Sequence, residues 1–304
     1  MGGSFMKEII SMQLYHASLF LNILRYYYEI FREPLNVLLS FAIMGSDTKG
    51  FLQTHRNMVA SIIADSGAWS VAKGKSNITL EQLISYLQLW GRCFDRYFNF
   101  DTDFSDRGFA NNIANQLLME RAGLTPVPVV HNFYDREIDD YIDSGKYEWL
   151  ALGSSQSTKF KAISDAVYRI KKRNPAIKIH WFGGSTFDWL CQLPIASCDT
   201  SSWAKAGVYG FITYWNPHED SFNKSHRIYI SGPVKPSKRN EYHFVTYPWR
   251  TELEDYLRNT FGYTCQKLCG YGDKYYMQVV NTRFYVELER RINEERRKNG
   301  IPLE

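Results

Sequence analysis

The strongest constraint on this chain is a recurring alternation of two kinds of segment. Ser61-Ile-Ile-Ala-Asp65, Tyr97-Phe-Asn-Phe-Asp101, Val127-Pro-Val-Val-His131, Trp149-Leu-Ala-Leu-Gly153, Ile177 to Gly183 and Ile195 to Asp199 are short, apolar and rich in strand formers. Between them, Thr79 to Phe94, Ala110 to Ala122, Arg136 to Ile142, Phe160 to Arg173 and Phe187 to Leu193 carry helical periodicity. Thr79 is the expected N-cap of the first helix, with Gln82 closing a capping box, while Gly123, Gly145 and Pro175 punctuate the ends of later ones. Regular βα alternation calls for a parallel sheet with helices on its faces. Val37 to Ile43 adds a strand before these six and Gly210 to Trp215 one after, making eight. The expected fold is therefore α/β, a (β/α)8 TIM-like barrel with a C-terminal α-rich extension. An open doubly wound sheet is the alternative.

The 304 residues then divide into an N-terminal segment at 1–59 holding the first barrel strand, a barrel core at 60–223 and an extension at 224–304. Leu19 to Phe31 reads as a Leu/Tyr-rich helix. A charged fraction of 22% excludes a disordered chain. No run approaches the ~18 apolar residues of a membrane span. No signal peptide is evident at the N-terminus. Five cysteines, an odd number in no regular pattern, argue against a disulfide framework and for a reducing, cytoplasmic setting.

What stands at the strand ends points to chemistry. In order these are Asp65, Asp101 with Asp103, His131, Gly153, Gly183-Gly184 and Asp199. A parallel barrel brings all such positions to one rim, where active sites lie. One acid after a strand is commonly a helix cap, but three strand-end acids and a His on one edge exceed what capping explains. Facing carboxylates suit reactions at an anomeric carbon, where one attacks or stabilises the cation and another moves a proton. The glycines admit a flat ring close to the backbone. No Gly-x-Gly-x-x-Gly or Walker-type loop follows any strand, so no nucleotide cofactor is indicated. These residues alone do not separate a glycosidase from a base-exchange enzyme.

Several segments together resemble the tRNA-guanine transglycosylase superfamily. Ile63-Ala-Asp-Ser-Gly-Ala-Trp69 is similar to its Asp-Ser-Gly-Gly-Phe segment, and Phe98-Asn-Phe-Asp101 to the strand bearing its base-reading Asp. Leu150-Ala-Leu-Gly153 resembles the strand against which the base lies. His180-Trp-Phe-Gly-Gly184 and Ser197-Cys-Asp-Thr-Ser-Ser-Trp203 resemble the late glycine strand and the nucleophile strand, with Ala204-Lys-Ala-Gly207 following. The ordered match spans roughly residues 60–215. Two departures stand out: Val129-Val-His131-Asn132 replaces a Gln-bearing strand, and the family's Cys-x-Cys-x-x-Cys zinc module is missing. His243, Cys265 and Cys269 are the nearest substitute, but a structural zinc wants four ligands, so ordinary thiols are the preferred reading and no cofactor is expected. These departures favour the DpdA branch of bacterial genomic islands and phages, which inserts 7-deazaguanines such as 7-cyano-7-deazaguanine into DNA.

The resemblance implies that Asp199 is the nucleophile and Asp65 the general acid/base. It implies that Asp101, Asp103, His131, Gly153, Leu152, Gly183 and Gly184 form the base pocket, with Trp69 or Tyr134 stacking on the ring. The polymer is DNA, or alternatively the anticodon loop of a tRNA; accessory proteins for DNA opening and a homodimer are compatible with either. A glycosidase or nucleosidase, and a non-catalytic nucleic-acid-binding barrel subunit, are the further alternatives. The net charge of +4 conceals an asymmetry: residues 224–304 hold 15 Lys+Arg against 10 Asp+Glu, an excess of +5. Lys235, Lys238, Arg239, Arg290, Arg291, Arg296, Arg297 and Lys298 are accordingly the candidate phosphate contacts. The interleaved Glu287, Glu289, Glu294 and Glu295 equally suit a solvated helix. Aromatic residues make up 16% of the chain, more than a base pocket needs, and most are expected in the core.

Overall fold

The computed structural model describes residues 11–17, 21–44, 47–105, 107–153, 158–219, 224–230, 236, 238–269 and 273–301. Eight parallel strands form its centre: β1 (Gln13–Ala17), β2 (Leu35–Ser40), β3 (Val59–Asp65), β4 (Arg96–Tyr97), β5 (Val129–Val130), β6 (Trp149–Leu152), β7 (Lys178–Trp181) and β8 (Ser197–Thr200). They lie in the order β4-β3-β2-β1-β8-β7-β6-β5. A parallel bridge between Phe98 and Val127 joins the two ends of that series. It is flanked by Asn99 N–H to Val127 O at 3.0 Å and Val127 N–H to Tyr97 O at 2.8 Å, so the ring closes. The architecture is a TIM-like α/β barrel.

Alternation sorts the strand side chains into two layers. Tyr15, Ala17, Leu38, Ile63, Phe98, Val127, Val129 and Ala151 pack together inside the ring, with Trp149 and Phe182 against them. Leu14, Val37, Leu39, Ile62, Leu150, Leu152, Ile179, Trp181 and Cys198 belong to the larger core between strands and helices. The helices Leu80–Trp90, Phe109–Arg121, Glu137–Asp143 and Phe160–Arg173 follow their strands as the periodicity predicts. Thr79 caps the first of them in a full capping box with Gln82, an arrangement that typically contributes about 1 kcal/mol.

Two expectations are corrected. Gly210 to Trp215, expected as the last barrel strand, instead forms β9 (Phe211–Trp215), which pairs antiparallel with β10 (Ser225–Tyr229), itself paired with β11 (Glu241–His243). Its strictly alternating burial suits a small sheet buried on one face rather than a barrel strand covered on both. The missing barrel member is β1, inserted between β2 and β8. Gln13 and His16 dilute its apolar signal, which hides it in the sequence.

The second correction concerns the basic C-terminal helix, Asp273–Lys298. It is not a free surface but part of the barrel's outer layer, packed on the helix Ser202–Val208 and on β1. Before β1 reaches its register with β2, the backbone N–H groups of Met12 and Leu14 find partners on this helix: Asn293 Oδ1 at 2.9 Å and Glu289 Oε2 at 2.7 Å. Glu289 is pushed up to about 7, chiefly by burial, with the Leu14 N–H and Asn36 bonds pulling the other way. Among the described residues no helix is long and apolar enough to cross a membrane.

Candidate functional site

Asp65, His131, Gly153 and Asp199 each lie two positions beyond an inward-facing residue, namely Ile63, Val129, Ala151 and Ser197. The strand period of two therefore turns all four positions toward the barrel axis at the C-terminal rim. Asp101 follows β4 on the same rim and is buried. Its Oδ2 lies 2.6 Å from His131 Nε2. Glu137, also buried, accepts the His131 backbone N–H at 2.7 Å and braces that strand end.

The electrostatics are those of a crowded carboxylate site. Burial pushes Asp65 up to about 7; the charges of Asp101 and then Asp199 add to the shift, while bonds from Ser40 and the Gly67 N–H oppose it. Burial disfavours a charged His131, but the hydrogen bond and charge of Asp101 outweigh that and raise its pKa. Burial raises Asp101 in turn, against the hydrogen bond and charge of His131, and the 2.6 Å contact requires a proton between Oδ2 and Nε2. Asp65, pushed up to about 7, gains or loses a proton near neutrality, which is what an acid/base catalyst needs.

Asp199 is held differently. Its Oδ1 accepts the Gly183 backbone N–H at 2.9 Å. Gly183 sits at φ +69°, a left-handed conformation that glycine adopts without penalty and that aims its N–H at the carboxylate. Gly184 has another reason to be glycine: a Cβ there would stand 2.2 Å from the Trp181 ring. At Gly153 a Cβ would come within 2.8 Å of Val129 Cγ1 and 3.6 Å of His131 Cε1, so any methyl would crowd the pocket wall.

Other predicted residues fall elsewhere. The Asp103 carboxylate accepts bonds from the Ser105 backbone and hydroxyl and from Asn111 Nδ2, so it organises its own loop rather than facing the pocket. Leu152 turns its side chain into the outer core, and its carbonyl is already taken by Phe182 N–H at 3.1 Å. Gly153 N–H likewise bonds Val130 O at 3.0 Å, so these two backbone groups of the expected base pocket belong to the sheet ladder. His131 Nε2 is engaged by Asp101, which makes its first role support of that carboxylate rather than contact with a base oxygen.

Trp69, on the short helix Ala68–Ala72 after β3, and Tyr134, on the turn after β5, are exposed, at 59% and 63%. Phe104, which sequence reasoning missed, bridges Trp69 to the site: its ring lies 5.4 Å from Trp69 and 4.7 Å from His131. Lys73 sits over the outer face of this pair, 4.5 Å from the Trp69 ring. An exposed aromatic three residues past a strand-end Asp was the available signal. His180 was also missed as a site residue, though its place two residues before inward-facing Phe182 marks it.

The expected phosphate contacts are mostly accounted for by internal partners. Arg296 is buried and donates to the carbonyls of Leu190, Leu193 and Ile195 at 2.6 to 2.8 Å, which excludes it as a phosphate ligand. Arg290 pairs with Glu33 and Glu287, Arg291 stacks 4.4 Å from Trp215, and Lys298 pairs with Glu295. Arg297 Nε bonds the Asn293 carbonyl, while Lys238 and Arg239 are exposed on the turn before β11; Lys235 lies outside the described residues. The helix carrying Arg296 meets the segments leading into β1 and β8, at the end of the barrel opposite Asp199.

That opposite end also holds a cavity of about 670 Å³ lined by Arg96, Pro126, Glu148 and Trp149 among others, with none of the strand-end carboxylates on its wall. The converging titratable groups at the rim, not this space, mark the candidate active site. For metal, His243 Nδ1 accepts the Val245 N–H, and Cys265 and Cys269 share one short helix. Among the described residues no cluster of three His, Cys, Asp or Glu is arranged to hold an ion.

No family model matches this chain, and no curated protein matches it. Among solved structures it is similar to the YdjI aldolase from Escherichia coli K12, at 10% identity over 65% of this chain and 78% of that one, with a TM-score of 0.41. A likeness at that level says nothing about the chemistry of the rim.

Proposed function

We propose that this protein is a base-exchange transglycosylase that replaces guanine in DNA with a 7-deazaguanine through a covalent glycosyl-aspartate. The observation that carries the reading is the rim itself: three carboxylates converge, one buried and paired, one held by a backbone N–H, and one pushed up to about 7 by burial and the other two. Such separated roles are what a double displacement at an anomeric carbon requires.

In this reading an Asp199 oxygen attacks C1′ of the target nucleotide as the C1′–N9 bond breaks, and the bonding pair leaves with the base. Asp65, protonated, delivers its proton to the departing guanine and as carboxylate takes one back from the incoming deazaguanine. The second displacement regenerates the Asp199 carboxylate and restores the starting configuration at C1′. Asp101, anchored by His131, accepts from N1–H and the exocyclic amine, a donor pair that a guanine-like edge presents. The Trp69–Phe104 surface beside it offers stacking for a base drawn out of its helix.

The test is incorporation of labelled guanine into DNA or tRNA by the purified chain, with trapping of the covalent adduct. Exchange into DNA, and its loss together with the adduct in Asp199→Asn, is the expected result. Exchange into tRNA alone changes the polymer; release of base without reincorporation points to hydrolysis. An adduct that persists in Asp199→Asn removes that residue from the nucleophile's role.

A further inference from the structure

Behind Asp199, on the side away from the rim, lies a histidine that the mechanism above does not use. His180 is fully buried within the barrel, where its ring packs 4.9 Å from Phe98, 4.7 Å from Phe182 and 6.4 Å from Tyr15. Its Nδ1 lies 2.8 Å from Ser197 Oγ. Its Nε2 makes no hydrogen bond and sits 3.5 Å from Asp199 Oδ1. Ser197, His180 and Asp199 thus form a line running up the barrel interior, with Ser197 and Asp199 two residues apart on one strand face.

A buried nitrogen left without a partner is costly and needs a reason. The inside of the barrel offers one. A neutral imidazole has one donor and one acceptor nitrogen. If the Ser197 hydroxyl donates to Nδ1, the proton must reside on Nε2, and Nε2–H then points at Asp199. Burial favours this neutral form by lowering the ring's pKa, against the pull of the Asp199 charge. The three aromatic neighbours leave the ring no space to turn away.

We propose that His180, fixed by Ser197, is a positioning residue for Asp199: with the Gly183 N–H it holds Oδ1 from behind, so that Oδ2 is the oxygen presented to C1′. Two donors on one oxygen leave the other as the unencumbered nucleophile. Covalent bond formation then joins Oδ2 to C1′ and breaks C1′–N9, and the pair on the leaving nitrogen is taken up by the Asp65 proton. Oδ1 becomes the ester carbonyl, still facing Gly183 N–H and Nε2–H. No proton crosses between His180 and Asp199. The ring's separation of 3.5 Å leaves it room to tighten onto Oδ1 as the reacting geometry forms.

The catalytic part of this proposal rests on Asp199 being the nucleophile; the tautomer and pairing do not. Nitrogen-15 NMR of histidine-labelled protein tests the pairing directly. A neutral Nε2–H tautomer for His180, with an Nε2 signal that moves in Asp199→Asn but not in the remote variant Arg239→Ala, is the expected result. An Nδ1–H tautomer, or an Nε2 signal indifferent to Asp199→Asn, overturns the proposal whether or not the protein exchanges bases. Exchange kinetics test the consequence. His180→Phe should lower kcat by about 10- to 100-fold with KM for the base nearly unchanged, the usual scale for losing a residue that orients a reacting group. His180→Gln, whose amide N–H can reach the same oxygen, should recover most of that loss even if the Phe variant folds poorly. Full kcat in His180→Phe, or equal loss in Phe and Gln variants that both fold, overturns it. If the wild-type chain exchanges no base at all, the transglycosylase reading fails while the NMR result still decides the pairing.

Discussion

The pKa of Asp65 makes a prediction about stability that does not depend on which reaction the rim performs. An ordinary aspartate titrates at 3.8, and burial with two carboxylate neighbours pushes this one up to about 7. A raised carboxyl pKa means that the native state holds its proton more tightly than the unfolded chain does. Stability from this group is therefore greatest below about pH 4 and is lost as pH rises toward 7. Relative to a neutral side chain of the same shape, the penalty is about 2 kcal/mol at pH 5 and reaches a ceiling of about 4 kcal/mol above pH 7, at about 1.4 kcal/mol per pH decade between the two values. Asp65→Asn keeps the size and removes the charge. Urea unfolding of both proteins at pH 5 and pH 8.5 should show the variant gaining about 2 to 3 kcal/mol on the wild type between the two conditions. A difference that stays flat or reverses with pH would refute the account of Asp65 as a partly buried acid held near neutrality by desolvation and its carboxylate neighbours. The same variant should lose base exchange, a trade of activity against stability common where like charges are forced together.

Three further outcomes follow from the geometry. The base-release step measured in single turnovers should slow as pH rises through about 7, where Asp65 loses its proton; a rate that climbs instead removes Asp65 from the acid's role. Arg296→Met deprives three buried carbonyls of their donor and should cost about 3 kcal/mol or more in denaturant unfolding, with the salt dependence of nucleic-acid binding unchanged. A smaller salt slope with stability intact would return Arg296 to the phosphate contacts. Gly184→Ala drives a methyl into the Trp181 ring and should destabilise by about 1 to 3 kcal/mol in thermal unfolding; a neutral substitution would show that the loop yields freely.

Much of this was legible in the sequence, and for identifiable reasons. Short apolar runs that end in Asp65, Asp101, His131 and Asp199 survive in a linear reading because a parallel barrel places successive strand ends on one rim. Two kinds of information do not survive. β1 is recognisable through its partners β2 and β8, since Gln13 and His16 break its apolar run. The basic residues of the last helix look alike in sequence, yet Arg296 serves three buried carbonyls while Arg297 remains exposed beside it. The backbone groups of Leu152 and Gly153 could not be assigned to a ligand or to the ladder until the register of β5, β6 and β7 was known.

The docking of Asn293 and Glu289 onto Met12 and Leu14 sets a timetable for synthesis. These contacts join residues 281 and 275 positions apart. At translation rates of about 5 to 20 residues per second, the first strand emerges roughly 15 to 55 s before the helix that satisfies its amides is made. Throughout that interval β1 exposes unpaired backbone on a growing chain, and the ring cannot be sealed around it. Closure of this barrel thus waits for the helix Asp273–Lys298 to be made, with β1 as the segment most in need of protection until then.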